Sequence, residues 1–531
     1  MKQLISEVNV TAKAALFAGA ILALLLLGNM FGGELLIAFG VGGGIIALVV
    51  FSLFPHSYAF KLLAVYSLLT FVQMPVGSLK IESIRGASLG NILVLLLGGA
   101  WLSIGHQRGQ FLKRTPLDFW LPVALVVVPG LSLLYTSTFE TVRGYSFTDG
   151  ILYLKNTTMP FFFMYVIVQV LETKRELRTF YVVNLTLLAC AVVFSLPSSL
   201  QHVGEIEQWR GARTAGAMED SVNTWANLMN EVVPYFLLLT FVVARNRPGL
   251  QTLFIIVVGA VGTSLFATMS RGGIVGFGVA VFLCLMLMRR AGGRVPIFVP
   301  ACAAIIVAAS VVQFAPDLAA NATSRFGMDT FKTVGDRKSY TLEEQLNRYS
   351  GDRLELWKCA YQLWEESPLF GAGYRVYRHR NHEFHSRARS NATHSLYMGA
   401  LSNGGVIYFL CLAVFFWKLW KLLYSGTRRS IENDDKMGLT ICGGAWVSTV
   451  CFLLNGLTYD AISTSDRLYV ICFFWGIGIA YSLKLAAEAE ESSLLSALTP
   501  TNADFEDAGL NPFLGFTVQV RHNERPANDS R

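Results

Sequence analysis

A histidine stands where a polar stretch of the chain gives way to an apolar one. His394 follows Asn391 and Thr393, two residue types that favour the N-cap position of a helix, and an uncharged segment begins directly after it. The positive end of a helix dipole disfavours a charged imidazole, so we predict that the pKa of His394 lies below its ordinary value. A neutral imidazole accepts protons, which makes His394 a candidate general base. An interfacial histidine that only hydrogen-bonds a loop fits the same pattern.

Arginines collect in the stretch that precedes this histidine. Residues 374–389 hold five arginines and three histidines against one glutamate. A guanidinium is planar, offers paired donors and stays charged, so Arg375 and Arg378 are candidates for binding a phosphate group. A solvated basic surface, or contact with anionic lipid head groups, is the plainer interpretation.

The histidines of this stretch, His379, His382 and His385, also raise the question of a metal ion. Glu383 is the nearby carboxylate, and no second group of ligands is evident in the sequence. Structural zinc takes four ligands, so we predict no metal site and no cofactor.

The elements that position these residues are predicted to be membrane helices. The chain of 531 residues is 53% hydrophobic and 15% charged, with a mean hydropathy of +0.47, whereas soluble proteins carry about 25% charged residues. Only helices or closed barrels satisfy the backbone in lipid. The sequence therefore predicts an all-α polytopic membrane protein with about 14 spans. These are residues 14–31, 35–54, 59–76, 89–104, 117–135, 157–171, 179–197, 224–244, 251–269, 272–288, 295–314, 394–417, 438–458 and 468–486.

Charge and cysteines argue against other classes of protein. The net charge of +7 reflects the basic loops of a membrane protein, so nucleic acid is not predicted as a partner. The eight cysteines fall almost entirely inside predicted spans, which indicates neither a disulfide framework nor a zinc site.

Basic residues in alternate connections orient the chain. The connections at 108–114, 174–178, 245–247, 289–294 and 418–429 carry lysine and arginine, which indicates the cytoplasmic side. Both termini are then predicted to be cytoplasmic, and the stretch around His394 lies on the opposite side.

This alternation divides the chain into four regions. Residues 1–314 are predicted to form an N-terminal transmembrane bundle, 315–393 a large outer loop, 394–487 C-terminal transmembrane helices, and 488–531 a disordered cytoplasmic tail. Within the loop, Arg353–Glu366 is predicted to be an amphipathic helix with residues 354, 357, 361 and 364 on its apolar face. The residues predicted to form the core of the loop are Trp357, Tyr361, Leu363, Trp364, Leu369 and Phe370.

Further arginines lie on the same side in separate segments. Arg210 and Arg213 precede one span, and Arg271 lies in a tight hairpin between two others. Arg353 begins the loop helix. Each arginine could merely help to orient the chain, or could extend its side chain along the membrane interface. Together they oppose the usual preference of basic residues for the cytoplasmic side, which predicts an anionic partner.

Five short motifs stand in order across residues 210–420. They are Arg213-Thr-Ala-Gly…Asn223…Ala226-Asn227, Ser270-Arg-Gly272, Gly351-Asp-Arg353…Trp357, Glu366-Ser-Pro-Leu-Phe-Gly-Ala-Gly373, and His394-Ser395 followed by nine residues, Gly405, two residues and Tyr408. In these motifs the chain resembles the O-antigen ligase / Wzy-type polymerase superfamily, bacterial membrane glycosyltransferases of the GT-C type. The last motif is similar to the ligases' His-(Asn/Ser/Gln)-x9-Gly-x2-(Gly/Thr/Tyr). Trp357 stands where the ligases usually carry leucine, so the motifs do not decide between a ligase and a polymerase.

This resemblance implies a reaction and a location. A donor glycan on undecaprenyl pyrophosphate would be transferred with inversion, and without a metal ion, at the periplasmic face of the bacterial inner membrane. The acceptor would be a growing glycan, lipid A-core or a protein, and a copolymerase or chain-length regulator would be a partner. His394 would act as the base on the acceptor or orient it, while Arg353 and Arg213 hold the leaving pyrophosphate. The further pyrophosphate ligands would be Arg271, Arg375, Arg378 and Arg210.

A lipid-linked oligosaccharide flippase and a chain-length or assembly scaffold are the competing hypotheses. Transporters keep ionisable groups and broken helices near the middle of the membrane. The predicted spans are almost free of charge, and the polar residues collect in the large loop, which favours the enzyme.

Overall fold

The fold is a bundle of long apolar helices. The computed structural model describes residues 114–139, 145–201, 222–268, 270–292, 353–384, 392–462 and 465–498. Every regular element in these ranges is a helix, and nine helices in them are long and apolar enough to cross a membrane. Each corresponds to one predicted span, so the all-α class is confirmed for this part of the chain. The predicted spans at 14–31, 35–54, 59–76, 89–104 and 295–314 lie outside the described residues.

We number the helices in chain order. The first six are α1 (Trp120–Pro122, a π-helical turn Val123–Val127, then Val128–Phe139), α2 (Phe147–Val170), α3 (Lys174–Gln201), α4 (Val222–Leu238, then a π-helical turn Leu239–Val243), α5 (Pro248–Ala267) and α6 (Arg271–Arg290). The remaining five are α7 (Arg353–Glu366), α8 (Tyr377–Phe384), α9 (Leu396–Glu432), α10 (Lys436–Gly438, a π-helical turn Leu439–Gly443, then Gly444–Asn455) and α11 (Ser465–Leu498).

Short polar side chains define where several helices begin. At the start of α3, Thr173 Oγ1 accepts from the Glu176 N–H at 3.1 Å, and the Glu176 carboxylate accepts from the Thr173 N–H at 3.1 Å. Ser270 caps α6 by accepting from the Gly273 N–H at 3.3 Å. Each cap satisfies a backbone donor that has no partner inside the helix, so these residues fix the ends of the apolar segments.

The core of the bundle surrounds α4. This helix packs against α5, α6 and α10, and its Trp225 and Phe236 are fully buried. Aromatic rings fill the space between α4, α10 and α11: the ring centroids of Tyr235 and Phe474 are 4.6 Å apart, and those of Phe452 and Trp475 are 5.1 Å apart. Helix α4 therefore supports the elements on either side of it.

Helix α7 has the predicted bounds, but its buried face is not the predicted one. Tyr361 is 47% exposed, Leu369 is 59% exposed and Phe370 is 57% exposed, so they do not belong to the core. The residues that pack together are Leu356, Cys359, Ala360, Leu363, Ala372, Val376 and Tyr377. Positions 356, 359, 360 and 363 also follow a helical spacing, and their smaller side chains allow a closer approach of the segment that leads into α8.

The last helix extends beyond its predicted end. Contacts between Cα atoms divide the chain into the units Met1–Lys484 and Leu485–Arg531. The described part of the second unit is the continuation of α11 to Leu498, so residues 488–498 of the predicted disordered tail are helical. Alanine, glutamate and leucine dominate this stretch, and all three favour helix. Residues 499–531 lie outside the described residues.

Candidate active site

His394 lies in a tight turn directly before α9. The cap of α9 is Ser395, whose Oγ accepts from the Met398 N–H at 3.4 Å. Thr393 instead donates its hydroxyl to the Ser395 carbonyl at 2.9 Å, so the prediction that it caps the helix is wrong. Asn391 lies outside the described residues. The backbone of His394 has φ +50°, a left-handed conformation that is uncommon for residues other than glycine and is found at functional sites.

The turn around His394 is fixed to the end of α10. The Gly456 carbonyl accepts from the Leu396 N–H at 2.8 Å and from Ser395 Oγ at 3.3 Å. At the second residue of α9, the Tyr397 hydroxyl donates to the Leu453 carbonyl at 2.8 Å. These bonds hold the start of α9 against the connection between α10 and α11.

The surroundings of His394 favour its neutral form. Burial lowers the pKa of His394 below its ordinary value, and the positive charges of Arg353 and Arg378 lower it further. This direction agrees with the one expected from the helix dipole, but its causes are burial and two arginines that the dipole argument did not invoke. The fold thus brings Arg353 and Arg378 close enough for their charges to act on the imidazole.

The arginines before His394 have different surroundings. The guanidinium of Arg380 donates to both carboxylate oxygens of Glu366, at 2.7 and 3.1 Å, and to Glu383 at 3.0 Å, which ties α8 to the end of α7. Arg375 has φ +66°, and its guanidinium lies 4.4 Å from the centre of the Tyr153 ring. Within the described residues, neither Arg375 nor Arg378 forms an ion pair with a carboxylate.

The connection between α10 and α11 joins the starts of three helices. Besides holding the start of α9, it reaches α4 through the Tyr459 and Thr224 hydroxyls, which are 2.6 Å apart. It also reaches α6, because a Cβ on Gly272 would lie 3.1 Å from Thr458 Oγ1. We call the end of the bundle where α4, α6 and α9 begin the site end.

The remaining predicted arginines are placed only in part. Arg353 is the first residue of α7, and Arg271 is the first residue of α6. Next to Arg271, the Ser270 hydroxyl donates to Asn223 Oδ1 at the start of α4, at 3.4 Å. The side chain of Arg271, and all of Arg210 and Arg213, lie outside the described residues.

Two glycine-containing motifs dock backbone to backbone. Helix α9 is interrupted at Gly405, which has φ +65° and ψ −164°. The interruption leaves the following N–H groups without a helical acceptor, and the segment after α7 supplies one for each. The Pro368 carbonyl accepts from Val406 at 2.9 Å, and the Leu369 carbonyl accepts from Ile407 at 3.3 Å.

Only glycine fits where these motifs meet. A Cβ on Gly371 would lie 2.5 Å from the backbone nitrogen of Gly404, and a Cβ on Gly405 would lie 2.3 Å from the Leu369 carbonyl. Both glycines also have positive φ. The Glu366–Gly373 motif and the His394–Tyr408 motif, predicted as separate pieces, therefore form one unit.

Asp460 is a site-end carboxylate that the sequence interpretation missed. It lines a cavity of about 20 Å³ together with Tyr153, Thr157, Tyr374, Leu396, Gly399, Ala400, Asn403, Tyr408, Leu412 and Ile462. Burial raises the pKa of Tyr374, and the negative charge of Asp460 raises it further. Its position directly after a predicted span, on the side assigned to His394, was the available signal.

A buried ion pair was also missed. Glu231 of α4 and Arg467 of α11 have no exposed side-chain surface, and Arg467 Nε donates to Glu231 at 2.8 Å. Asn455 donates to the same carboxylate at 2.9 Å. The prediction that the spans are almost free of charge is therefore wrong at this position.

The histidines around α8 form no metal-binding group in the part of the chain that the structure describes. No cluster of three or more His, Cys, Asp or Glu is found there. The His379 ring packs edge-on against Tyr145 at 5.7 Å, and burial lowers the pKa of His379. His385 lies outside the described residues.

These observations define a multi-pass helical membrane protein with a histidine–arginine site at one end of its bundle. Residues 252–413 match the family model Wzy_C, described as O-antigen ligase. The match includes His394, Arg353 and both docked motifs, and it confirms the predicted resemblance to the O-antigen ligase/Wzy family. A search of curated proteins gave no match.

Proposed function

We propose that this protein is a membrane glycosyltransferase that transfers or polymerises undecaprenyl-pyrophosphate-linked oligosaccharides onto an acceptor glycan at the periplasmic face, without a metal ion and with inversion. The observation that carries the proposal is the neutral His394 beside Arg353 and Arg378, within the O-antigen ligase match. A ligase onto lipid A-core and a polymerase of glycan repeats share this chemistry.

The reaction assigns one task to each group. The acceptor hydroxyl oxygen attacks the anomeric carbon of the donor and its proton passes to the neutral imidazole of His394. The bond from the anomeric carbon to the phosphate oxygen breaks on the opposite face, and undecaprenyl pyrophosphate leaves with that electron pair. Arg353 and Arg378 stabilise the negative charge that grows on the leaving oxygen, a task for which fixed cations are suited. Arg375, Arg271 at the start of α6, and Arg210 and Arg213 are assigned to the same pyrophosphate.

The distribution of basic residues supports a periplasmic site. The connections at the end opposite the site carry Lys174, Arg175, Arg245 and Arg247, and basic residues mark the cytoplasmic side of a membrane protein. Arg353 and Arg378 at the site end are exceptions to that bias. An anionic substrate accounts for them.

The buried Glu231–Arg467 pair is the observation that favours a flippase, because transporters place ionisable groups inside the membrane. Here the Glu231 carboxylate accepts hydrogen bonds from Arg467 and Asn455. The Arg467 guanidinium lies 5.3 Å from the centre of the Phe452 ring and 5.5 Å from that of the Tyr459 ring. These contacts join α4, α10 and α11 to the connection that holds the start of α9. We therefore infer that the pair stabilises the structure around the site.

A complementation experiment tests the transferase. In a strain that lacks the gene, the unaltered chain should restore long surface glycan, and His394→Ala should lose it by about 10²- to 10⁴-fold while inserting normally into the membrane. His382→Ala on α8 is the matched control because His382 is exposed. Lipid-linked single repeats should accumulate at the periplasmic face in the His394 variant. Their retention in the cytoplasm would instead identify a flippase, and normal glycan from the variant would refute the base.

A further inference from the structure

The segment that joins α7 to α8 packs against membrane spans at a level inside the end of α1. We call residues 367–373 the wedge. It lies against Ser402–Gly405 of α9, and Ser132 of α1 donates its hydroxyl to the Asn403 carbonyl at 2.6 Å. Ser132 lies six residues before Thr138, the last residue of its span, or about 9 Å inside it. The wedge is thus seated within the length of α1.

Helix α9 gives an independent measure of the same depth. Gly405 lies nine residues, or about 13 Å, after the first residue of α9. Trp417, with Lys418 and Lys421 lying 5.4 and 5.5 Å from its ring, has the composition of the opposite membrane interface and lies about 18 Å beyond Gly405. Hydrocarbon is about 30 Å thick, so the wedge meets α9 inside the leaflet at the site end.

Several backbone groups of the wedge are hydrogen-bonded, as membrane depth requires of a non-helical segment. Its Pro368 and Leu369 carbonyls accept from α9, its Gly371 N–H donates to the Ser367 carbonyl at 2.8 Å, and the Ala372 N–H donates to the Ser402 carbonyl at 2.8 Å. Irregular backbone is tolerated at membrane depth only when its polar groups have partners of this kind.

The side chains at the tip of the wedge are apolar, and no described residue covers them. Leu369 is 59% exposed and Phe370 is 57% exposed. The neighbouring helices present similar surface, since Leu410 of α9 is 54% exposed and Leu131 and Leu134 of α1 are 61% and 53% exposed. Among the described residues, the tip therefore continues the exposed apolar surface of two membrane spans.

We propose that the wedge is a re-entrant element of the membrane domain, with Leu369 and Phe370 in contact with the acyl chains of the leaflet at the site end. The occupant of this surface is the bilayer itself. Because the wedge is docked on the motif that carries His394, lipid contact fixes the height of α7 and α8 relative to the membrane. The inference rests on the membrane fold and does not depend on the transfer reaction.

Spin labels test the location of the tip. The full chain in lipid nanodiscs would carry a nitroxide at Leu369→Cys, Phe370→Cys or the control Lys358→Cys, whose native side chain on α7 is 46% exposed. The ratio of collision with oxygen, which concentrates in lipid, to collision with a water-soluble nickel chelate should be several-fold higher at 369 and 370 than at 358. The unaltered chain, labelled identically, supplies the background from native cysteines.

A second variant keeps the test valid if a cysteine disturbs folding. Phe370→Trp retains a large apolar ring, and lipids brominated on their acyl chains should quench its added fluorescence more than that of Lys358→Trp. Equal oxygen-to-nickel ratios at 358 and 370, or no added quenching, would overturn the proposal. A lipid-like signal that appears only after a polyprenyl pyrophosphate is added would also overturn it, because the surface would then bind the substrate tail.

Discussion

Two groups of arginines differ in how their charge is compensated. In the interior and at the end opposite the site, arginines face carboxylates: Arg467 pairs with Glu231, and Arg178 pairs with Asp435 at 3.0 Å. The Asp435 carboxylate also accepts from the Tyr481 hydroxyl at 2.6 Å. At the site end, Arg375 and Arg378 have no carboxylate partner among the described residues, and the charge of Arg378 lowers the pKa of His394.

From this difference we infer which arginines stabilise the fold and which are candidates for binding substrate. An arginine with a carboxylate partner inside the protein is already compensated and contributes to the fold. Cations left without such a partner beside a neutral imidazole provide a field that an external anion can enter. Removal of a compensated charge should therefore change stability, and removal of an uncompensated one should change activity.

The largest effect is expected at the buried pair. Glu231→Gln leaves the Arg467 guanidinium buried without a counter-charge, which should lower the free energy of unfolding by about 3–5 kcal/mol. Glu366→Gln removes a carboxylate from the partly exposed Arg380, so it should cost only about 0–1 kcal/mol. Thermal unfolding of both variants in the same detergent provides the comparison. Similar losses would show that burial does not distinguish the two pairs.

The charge of Arg353 is expected to affect activity. Arg353→Ala should reduce the transfer rate by about 10²- to 10³-fold, because the charge acts on the leaving group. Arg380→Ala is the matched control, since Arg380 lies in the same region but is bound to Glu366 and Glu383. Measured turnover of a lipid-linked donor would decide the matter. If both variants lost activity equally, the general positive charge of the region, not a particular arginine, would be responsible.

Local sequence patterns predicted the helices but not the contacts between residues far apart in the chain. Helix α7 follows from apolar spacing between residues 353 and 366, and its bounds agree with the structure. Its buried face was wrong because two sets of positions share a helical period, and only the partner segment selects between them. The Glu231–Arg467 pair joins residues 236 positions apart, so no local pattern indicates it. The proximity of Arg353 to His394 was expected from the family motifs, whereas Arg378 was a candidate from the arginine-rich stretch before His394.

The docked glycines place α7 and α8, which carry Arg353 and Arg378, on α9. Gly371→Ala would bring a Cβ to 2.5 Å from the Gly404 nitrogen at a positive φ, and overpacking of this kind costs about 1–3 kcal/mol. Gly278→Ala in α6 is the control, since nothing lies within 4 Å of its added Cβ. Unfolding temperature and transfer rate should both fall only for the Gly371 variant. Unchanged values would mean that the wedge can shift without affecting His394.

The smallest predicted effect is a displacement of the pH profile. The charge of Arg378 contributes, after burial and Arg353, to the lowered pKa of His394. Arg378→Gln should therefore raise that pKa, so that the imidazole becomes protonated at a higher pH and the acidic limb of kcat/KM moves toward neutrality. Arg378→Lys keeps the positive charge and should leave the limb in place even if it weakens the grip on pyrophosphate. A limb that stays fixed in the glutamine variant, or moves to lower pH, would show that the Arg378 charge does not control His394.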